Sequence, residues 1–316
     1  MTLHKTSPSR GPGSPDVTGF YDEDTGSIQY LMSDPDTGKG ALIDVVMGFD
    51  PAQATTDTSG AEEILRFAQK HNIEIEWILD THPHADHLMA SSWLKQQLGA
   101  PNAIGEKVCE IAELWRDLYH LPEAFAPEKD FDRLFADGDE FRIGSLPVRV
   151  MLTPGHTLGS ITYVVGSDAA FVNDTFMQPD VGTSRADFPG GSAGELYDSL
   201  QEILSLGDET RLFIGHDYGT DEREDPAWES TAVEQRRENK HLAGDTSKDA
   251  YISLREDRDR TLALPDRMLH VLQMNLRAGR PPEPESDGES YLKIPLNRFE
   301  KETSCCLLYT SPSPRD

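Results

Sequence analysis

Within seven residues, Thr81-His82-Pro83-His84-Ala85-Asp86-His87, stand three imidazoles and a carboxylate, four side chains able to bind a divalent metal. Such a cluster suits zinc, iron or manganese better than calcium. The run before it, Ile73 to Leu79, alternates with period two and reads as a strand, so the cluster occupies a strand-to-helix loop. Three further ligand types follow other short runs that read as strands: His156 after Val148–Leu152, Asp174 after Ala169–Val172, and His216 after Arg211–Ile214. Ligands parked at the ends of separate strands can meet only if those ends open at one common edge, which is a strong constraint on the fold.

The rest of the chain is compatible with one such domain. Its 316 residues suffice for a substantial core, and no Pro/Gly/Ser linker divides the middle. We therefore expect a catalytic domain over residues 15–300, a disordered N-terminal tail over 1–14, and a C-terminal tail over 301–316 that continues no element and looks foreign to the domain. Helices are expected between Ser59, which caps the first with Glu62, and His71-Asn72, which end it, at Met89–Leu98, Lys107–Leu118, after Ser192, at Glu229–His241 and at Leu264–Arg277.

The formal charge of −27, from 29 Lys+Arg against 56 Asp+Glu, argues against nucleic acid as a partner and is compatible with a high-salt source. An anionic substrate would need arginines near the metal motif to offset that field. Three cysteines, Cys109, Cys305 and Cys306, are too few and too badly placed for a disulfide framework, which points to a reducing, cytoplasmic setting. No run of about 18 apolar residues suggests a membrane span. A homodimer is the default expectation for the assembly.

The motifs Thr81 to His87, Thr153-Pro154-Gly155-His156-Thr157, Asn173-Asp174-Thr175 and Gly215-His216-Asp217 resemble those of the metallo-β-lactamase superfamily. The resemblance implies an α/β fold, the αββα sandwich of two mixed β-sheets face to face with helices outside and the metal at one edge. A finer resemblance, through Gly182-Thr183-Ser184-Arg185-Ala186-Asp187-Phe188-Pro189-Gly190-Gly191, His216-Asp217-Tyr218 and Met274 to Gly279, is to the persulfide dioxygenases (sulfur dioxygenases), especially bacterial members. Glyoxalase II resembles the chain at the metal motifs but not at Arg185 to Phe188.

That resemblance implies one Fe(II) per chain held by His82, His156 and Asp174, with His84, Asp86, His87 and His216 orienting the ligands. It implies oxidation of glutathione persulfide by dioxygen and water to sulfite and glutathione, as in sulfide detoxification. Arg185 and Arg277 are the residues expected to offset substrate charge, with Tyr218 and Asn275 as further contacts; Arg185 is equally expected as a salt-bridge partner of Asp187. Asn173 stands where relatives generally have glycine, and asparagine tolerates the left-handed backbone such a position needs. The competing expectation is a dinuclear zinc thioester hydrolase of the glyoxalase II kind, because every ligand for two Zn(II) ions is present. A non-enzymatic persulfide sensor is a more distant one.

Overall fold

Along Leu146–Leu152 the side chains alternate, with Leu146, Val148 and Val150 buried and Pro147 and Arg149 exposed. That is the signature of a strand with one face on a core. The structure, a computed structural model, describes residues 2–299; the tail 301–316, with Cys305 and Cys306, lies outside the described residues. In chain order the first half comprises β1 (Leu3–Ser7), β2 (Asp16–Asp22), β3 (Ser27–Ser33), β4 (Lys39–Ile43), β5 (Val46–Asp50), β6 (Thr55–Asp57), α1 (Ser59–Lys70), β7 (Glu74–Leu79), β8 (Leu88–Met89), α2 (Ser91–Leu98), β9 (Asn102–Gly105) and α3 (Val108–Tyr119). The second half comprises α4 (Pro127–Asp130), β10 (Arg133–Phe135), β11 (Glu140–Ile143), β12 (Leu146–Leu152), β13 (Ile161–Val165), β14 (Ala169–Asn173), α5 (Ala193–Leu204), β15 (Arg211–Ile214), β16 (Glu229–Thr231), α6 (Ala232–Glu238), α7 (Lys248–Asp259) and α8 (Met268–Asn275).

Seven strands form one sheet in the order β1-β2-β3-β4-β7-β9-β10, and six form a second in the order β11-β12-β13-β14-β15-β16. A short sheet, β6-β5-β8, sits beside them. The facing rows of the two large sheets, among them Tyr30, Ile43, Phe135, Val150, Tyr163, Phe171 and Phe213, make one buried cluster. Each such large side chain contributes roughly 1.5–3 kcal/mol by leaving water. α5 buries Leu196, Leu200, Ile203 and Leu204 on the second sheet, and α1 buries Ala61, Ile64 and Ala68 over the first. This is the expected αββα sandwich.

Strand direction places the site. β4 and β7 run parallel; β12 and β14 each pair antiparallel with β13, and β14 runs parallel to β15. The C-terminal ends of β4 and β7 in one sheet, and of β12, β14 and β15 in the other, therefore open at one edge. Hydrogen bonds across the sandwich hold the two sheets together there: Tyr163 Oη donates to the Asp80 carbonyl (2.9 Å), Tyr30 Oη to the Ile214 carbonyl (2.5 Å), and the Ile28 amide to the Gly215 carbonyl (2.7 Å).

Several expectations are corrected. Residues 3–7 are not a frayed start but the edge strand β1, paired antiparallel with Val17–Tyr21. Arg211 helps fix the chain that follows β1, since its fully buried guanidinium reaches Ser7 Oγ, Ser14 Oγ and the Pro15 carbonyl. The N-cap position of α1 is Thr58, not Ser59, and its side chain caps no backbone amide: the Thr58 hydroxyl donates to the Glu62 carboxylate, while Ser59 bonds Asp57. The apolar run 41–46 is two strands, broken at Asp44, whose φ is 50°. α7 was not expected at all: its inward face is Tyr251, Arg255 and Asp259, too polar to show as an apolar stripe. None of the described helices is long and apolar enough to cross a membrane.

Candidate metal centre

The turn after β7 buries His82, His84 and His87, all at 2 % exposure or less. Buried imidazoles need partners, and the fold supplies them one ring nitrogen at a time. His82 Nδ1 bonds Thr81 Oγ1 (3.1 Å), whose hydroxyl donates to Asp44 Oδ2 (3.0 Å). His156 Nδ1 donates to the Arg185 carbonyl (2.8 Å). With both Nδ1 atoms engaged, the two Nε2 atoms face inward, and each lies 3.6 Å from Asp174 Oδ2. His82, His156 and Asp174 thus offer three ligand atoms within 4.8 Å of one another.

A second group stands beside it. His84, Asp86 and His87 also bring ligand atoms within 4.8 Å of one another. His84 Nδ1, His87 Nδ1 and Asp86 Oδ2 are buried without a hydrogen-bond partner. Orphaned buried polar atoms are uncommon in a folded chain. His216 joins the two groups: its Nδ1 bonds Asp174 Oδ1 (2.6 Å), its Nε2 lies 2.9 Å from Ser27 Oγ, and the same Nε2 is 2.6 Å from Asp86 Oδ2 without hydrogen-bond alignment. The donor set, imidazole nitrogens and carboxylate oxygens with unspent lone pairs, fits a divalent transition metal.

Local backbone explains the convergence. Asn173 takes φ 41°, the left-handed conformation expected of it, beside an irregularity in the β14–β15 register. Its Oδ1 accepts from the Asp174 amide and its Nδ2 donates to Asp44. Gly155, at φ 133°, brings the His156 turn so close to α5 that a Cβ there would sit 2.3 Å from the Leu196 backbone.

Electrostatics separate the histidines. Burial, reinforced by the neighbouring imidazoles, holds His82 well below the ordinary histidine range, and burial also lowers His156; both shifts favour the neutral imidazole, the form that can bind a metal. Burial also opposes charge on His216, but Asp174 and Asp86 outweigh it and raise its pKa well above the usual value. For His84 burial is likewise outweighed, here by Asp44. Asp80 moves the other way: burial and the Asp44 charge raise it to about 7, against the opposing hydrogen bond from Ser91.

A cleft of ≈ 290 Å³ opens onto His156, Asp174, Asp86 and His216. Of the expected substrate contacts, Arg185 and Tyr218 line it. Arg185 is spent in the way its alternative reading required, with Nε and Nη2 on Asp187 (2.6 and 2.8 Å), Nη1 on the Ala263 carbonyl (2.6 Å) and its guanidinium over Phe188. Tyr218 stacks on the His216 ring and is 64 % exposed.

Asn275 and Arg277 do not reach the cleft. Asn275 is fully buried; its Nδ2 donates to the carbonyls of His84 (2.7 Å) and His87 (2.8 Å), and its Oδ1 accepts from the Met89 amide, so it clamps the histidine loop. Arg277 is half-buried, lies over the Phe125 ring and donates to the Gln273 carbonyl. The sequence reading missed Asp44, Ser27, Arg255 and Arg258. A buried aspartate interrupting an apolar run was the available signal for Asp44, and Ser247 followed by helical spacing of Tyr251, Arg255 and Arg258 was the signal for α7.

Comparison with known proteins agrees with this geometry. The chain is 53% identical to a "Beta-lactamase hydrolase-like protein" of Xylella fastidiosa over 91% of its own length, and spans 66% of that relative. It is 40% identical to "Glyoxylase B2" of Dictyostelium discoideum, covering 89% of this chain and 97% of the relative. Among solved structures it is similar to ETHE1 from Myxococcus xanthus, with a TM-score of 0.66 and 27% identity over 83% of this chain and 98% of that one. The family model "Metallo-beta-lactamase superfamily" matches residues 28–216. That span encloses every converging ligand from His82 to His216, together with Asp44, and the chain belongs to the metallo-β-lactamase superfamily.

Proposed function

We propose that the chain is a mononuclear iron persulfide dioxygenase. Glutathione persulfide, dioxygen and water give glutathione, sulfite and two protons. The observation that carries this reading is the pairing of His82 Nε2 and His156 Nε2 with Asp174 Oδ2, each Nδ1 being held from behind. Two histidines and one carboxylate are the ligand set of non-haem ferrous oxygenases, and they leave about half of an octahedral ion open. Iron bound there supplies the redox chemistry between persulfide sulfur and dioxygen. The similarity to ETHE1 is compatible with the reading.

The chain's own residues supply orientation and enclosure. The Arg185 carbonyl sets the His156 ring, and the Thr81 hydroxyl sets His82. His216 keeps a proton between Asp174 and Asp86, which holds the Asp174 carboxylate in its ionised form. Met177, Val181, Phe188, Leu262 and Pro265 line the cleft with apolar surface and limit the water around the reacting sulfur.

One observation favours a second reading. The orphaned atoms of His84, Asp86 and His87 would serve a second ion, as a dinuclear zinc thioester hydrolase requires, and the resemblance to "Glyoxylase B2" goes with it. Metal analysis with an oxygen electrode separates the two. About one iron per chain and persulfide-dependent oxygen uptake support oxidation; two zinc ions with thioester cleavage and no oxygen uptake sink it. In the mononuclear form His82→Ala and Asp174→Ala lose iron, whereas His216→Ala retains most of it and turns over more slowly. Equal metal loss in His216→Ala and His82→Ala would refute the single-ion assignment.

A further inference from the structure

Three arginines line the cleft, and two are already committed. Arg185 is bound to Asp187 and the Ala263 carbonyl. Arg255, 1 % exposed, places Nε and Nη2 on Asp259 Oδ1 and Nη1 on the Thr183 carbonyl (2.9 Å). Arg258 is different: among the described residues its guanidinium has neither an ion pair nor a hydrogen bond. Arg258 is exposed, and in a chain with a formal charge of −27 it offers the cleft a cation that no acidic side chain among the described residues neutralises.

The fold holds Arg258 in that place. Arg255 ties α7 to Thr183, and Asp259 Oδ2 accepts from the Ala186 amide (2.9 Å), so both neighbours on the helix are stitched to the 183–186 segment of the cleft wall. That wall has a second unspent group. Ser184 is 3 % exposed, lines the same cleft, and its Oγ has no hydrogen-bond partner. His241, which accepts from the Thr183 amide, does not add a competing charge: burial, with the cations Arg255 and Arg258, lowers its pKa to about 4.

We infer that Arg258 is the carboxylate anchor of the cleft and Ser184 its hydrogen-bonding companion, selecting a small acidic thiol-derived substrate. This rests on the reading of the cleft as the substrate site. A guanidinium presents planar paired donors to a carboxylate, and a buried hydroxyl without a partner gains one when the ligand arrives. The anchor also supplies the local positive charge that a strongly acidic protein needs in order to admit an anion.

The probe is S-methylglutathione, which carries two free carboxylates but neither a persulfide nor a thioester, measured by titration calorimetry on the metal-loaded full chain beside its diethyl ester. The wild type binds the free acid in preference to the ester. Arg258→Gln weakens the acid about tenfold, the loss of one charge-assisted hydrogen bond, leaves the ester unchanged and flattens the salt dependence. Arg258→Lys recovers part of the loss, and Ser184→Ala weakens the acid several-fold. The inference is overturned if the wild type binds neither ligand or prefers the ester, if Arg258→Gln binds the acid like the wild type, or if acid and ester weaken together; an unchanged Ser184→Ala overturns the two-residue form. Binding is scored whether or not oxygen is consumed. Anchoring by Arg258 without oxygen uptake therefore refutes the oxidation reading alone, and oxygen uptake indifferent to Arg258 refutes the anchor alone.

Discussion

Asp44 Oδ1 lies 3.1 Å from His84 Nε2, and this contact decides which nitrogen of His84 is left for the site. The carboxylate accepts, so Nε2 carries a proton toward Asp44 and the orphaned Nδ1 is the atom left for the site. The same carboxylate accepts from the Thr81 amide, the Thr81 hydroxyl and Asn173 Nδ2. Asp44→Ala strands all four donors in a dry interior and should cost about 3 kcal/mol in urea unfolding, with loss of bound metal. A stable variant with full metal content would show that the ring orientations are fixed elsewhere.

Asn275 acts through the histidine loop. Asn275→Leu keeps the volume but removes the donors to the His84 and His87 carbonyls, and should destabilise by about 2 kcal/mol while lowering metal content. Arg277→Ala, which removes a side chain packed on Phe125, should leave KM unaltered. A raised KM in Arg277→Ala, with stability unchanged, would return that arginine to the substrate.

Arg185 and Asp187 form a two-pronged pair whose acid is about one-third exposed. Solvent screening at that exposure limits the expected coupling to about 1 kcal/mol in a double-mutant cycle. Arg185→Ala and Asp187→Ala should then share most of their effect on stability. Independent, additive losses together with a KM change only in Arg185→Ala would favour a direct substrate contact.

His241 gives a pH signature. Burial lowers its pKa from the ordinary 6.5 to about 4 in the folded chain. Between those values the unfolded chain binds a proton that the folded chain refuses, so this stabilisation is complete above pH 6.5 and is lost as pH falls toward 4. The term is of order 2 kcal/mol. Thermal midpoints of the wild type should fall more steeply across that window than those of His241→Asn; parallel curves would remove His241 as the source.

The sequence determined a good deal by itself. A period-two run located β7, short apolar runs located β12, β14 and β15, and the turns after them are local features that survive translation into the fold. That His82, His156 and Asp174 converge was legible because ligand-type side chains at strand ends carry their own signal. Tertiary structure alone decided the partners. The break at Asp44 was hidden inside an apolar run, because a buried carboxylate is tolerable only where donors from β7 and β14 arrive from distant parts of the chain. α7 was hidden because its inward face is an Arg255–Asp259 pair, stable there only once Thr183 and Ala186 complete its hydrogen bonds. For the same reason sequence position could suggest that Asn275 and Arg277 stand near the site, but only packing could show that one grips the loop from behind and the other faces Phe125, while Arg258 is left with its charge unspent.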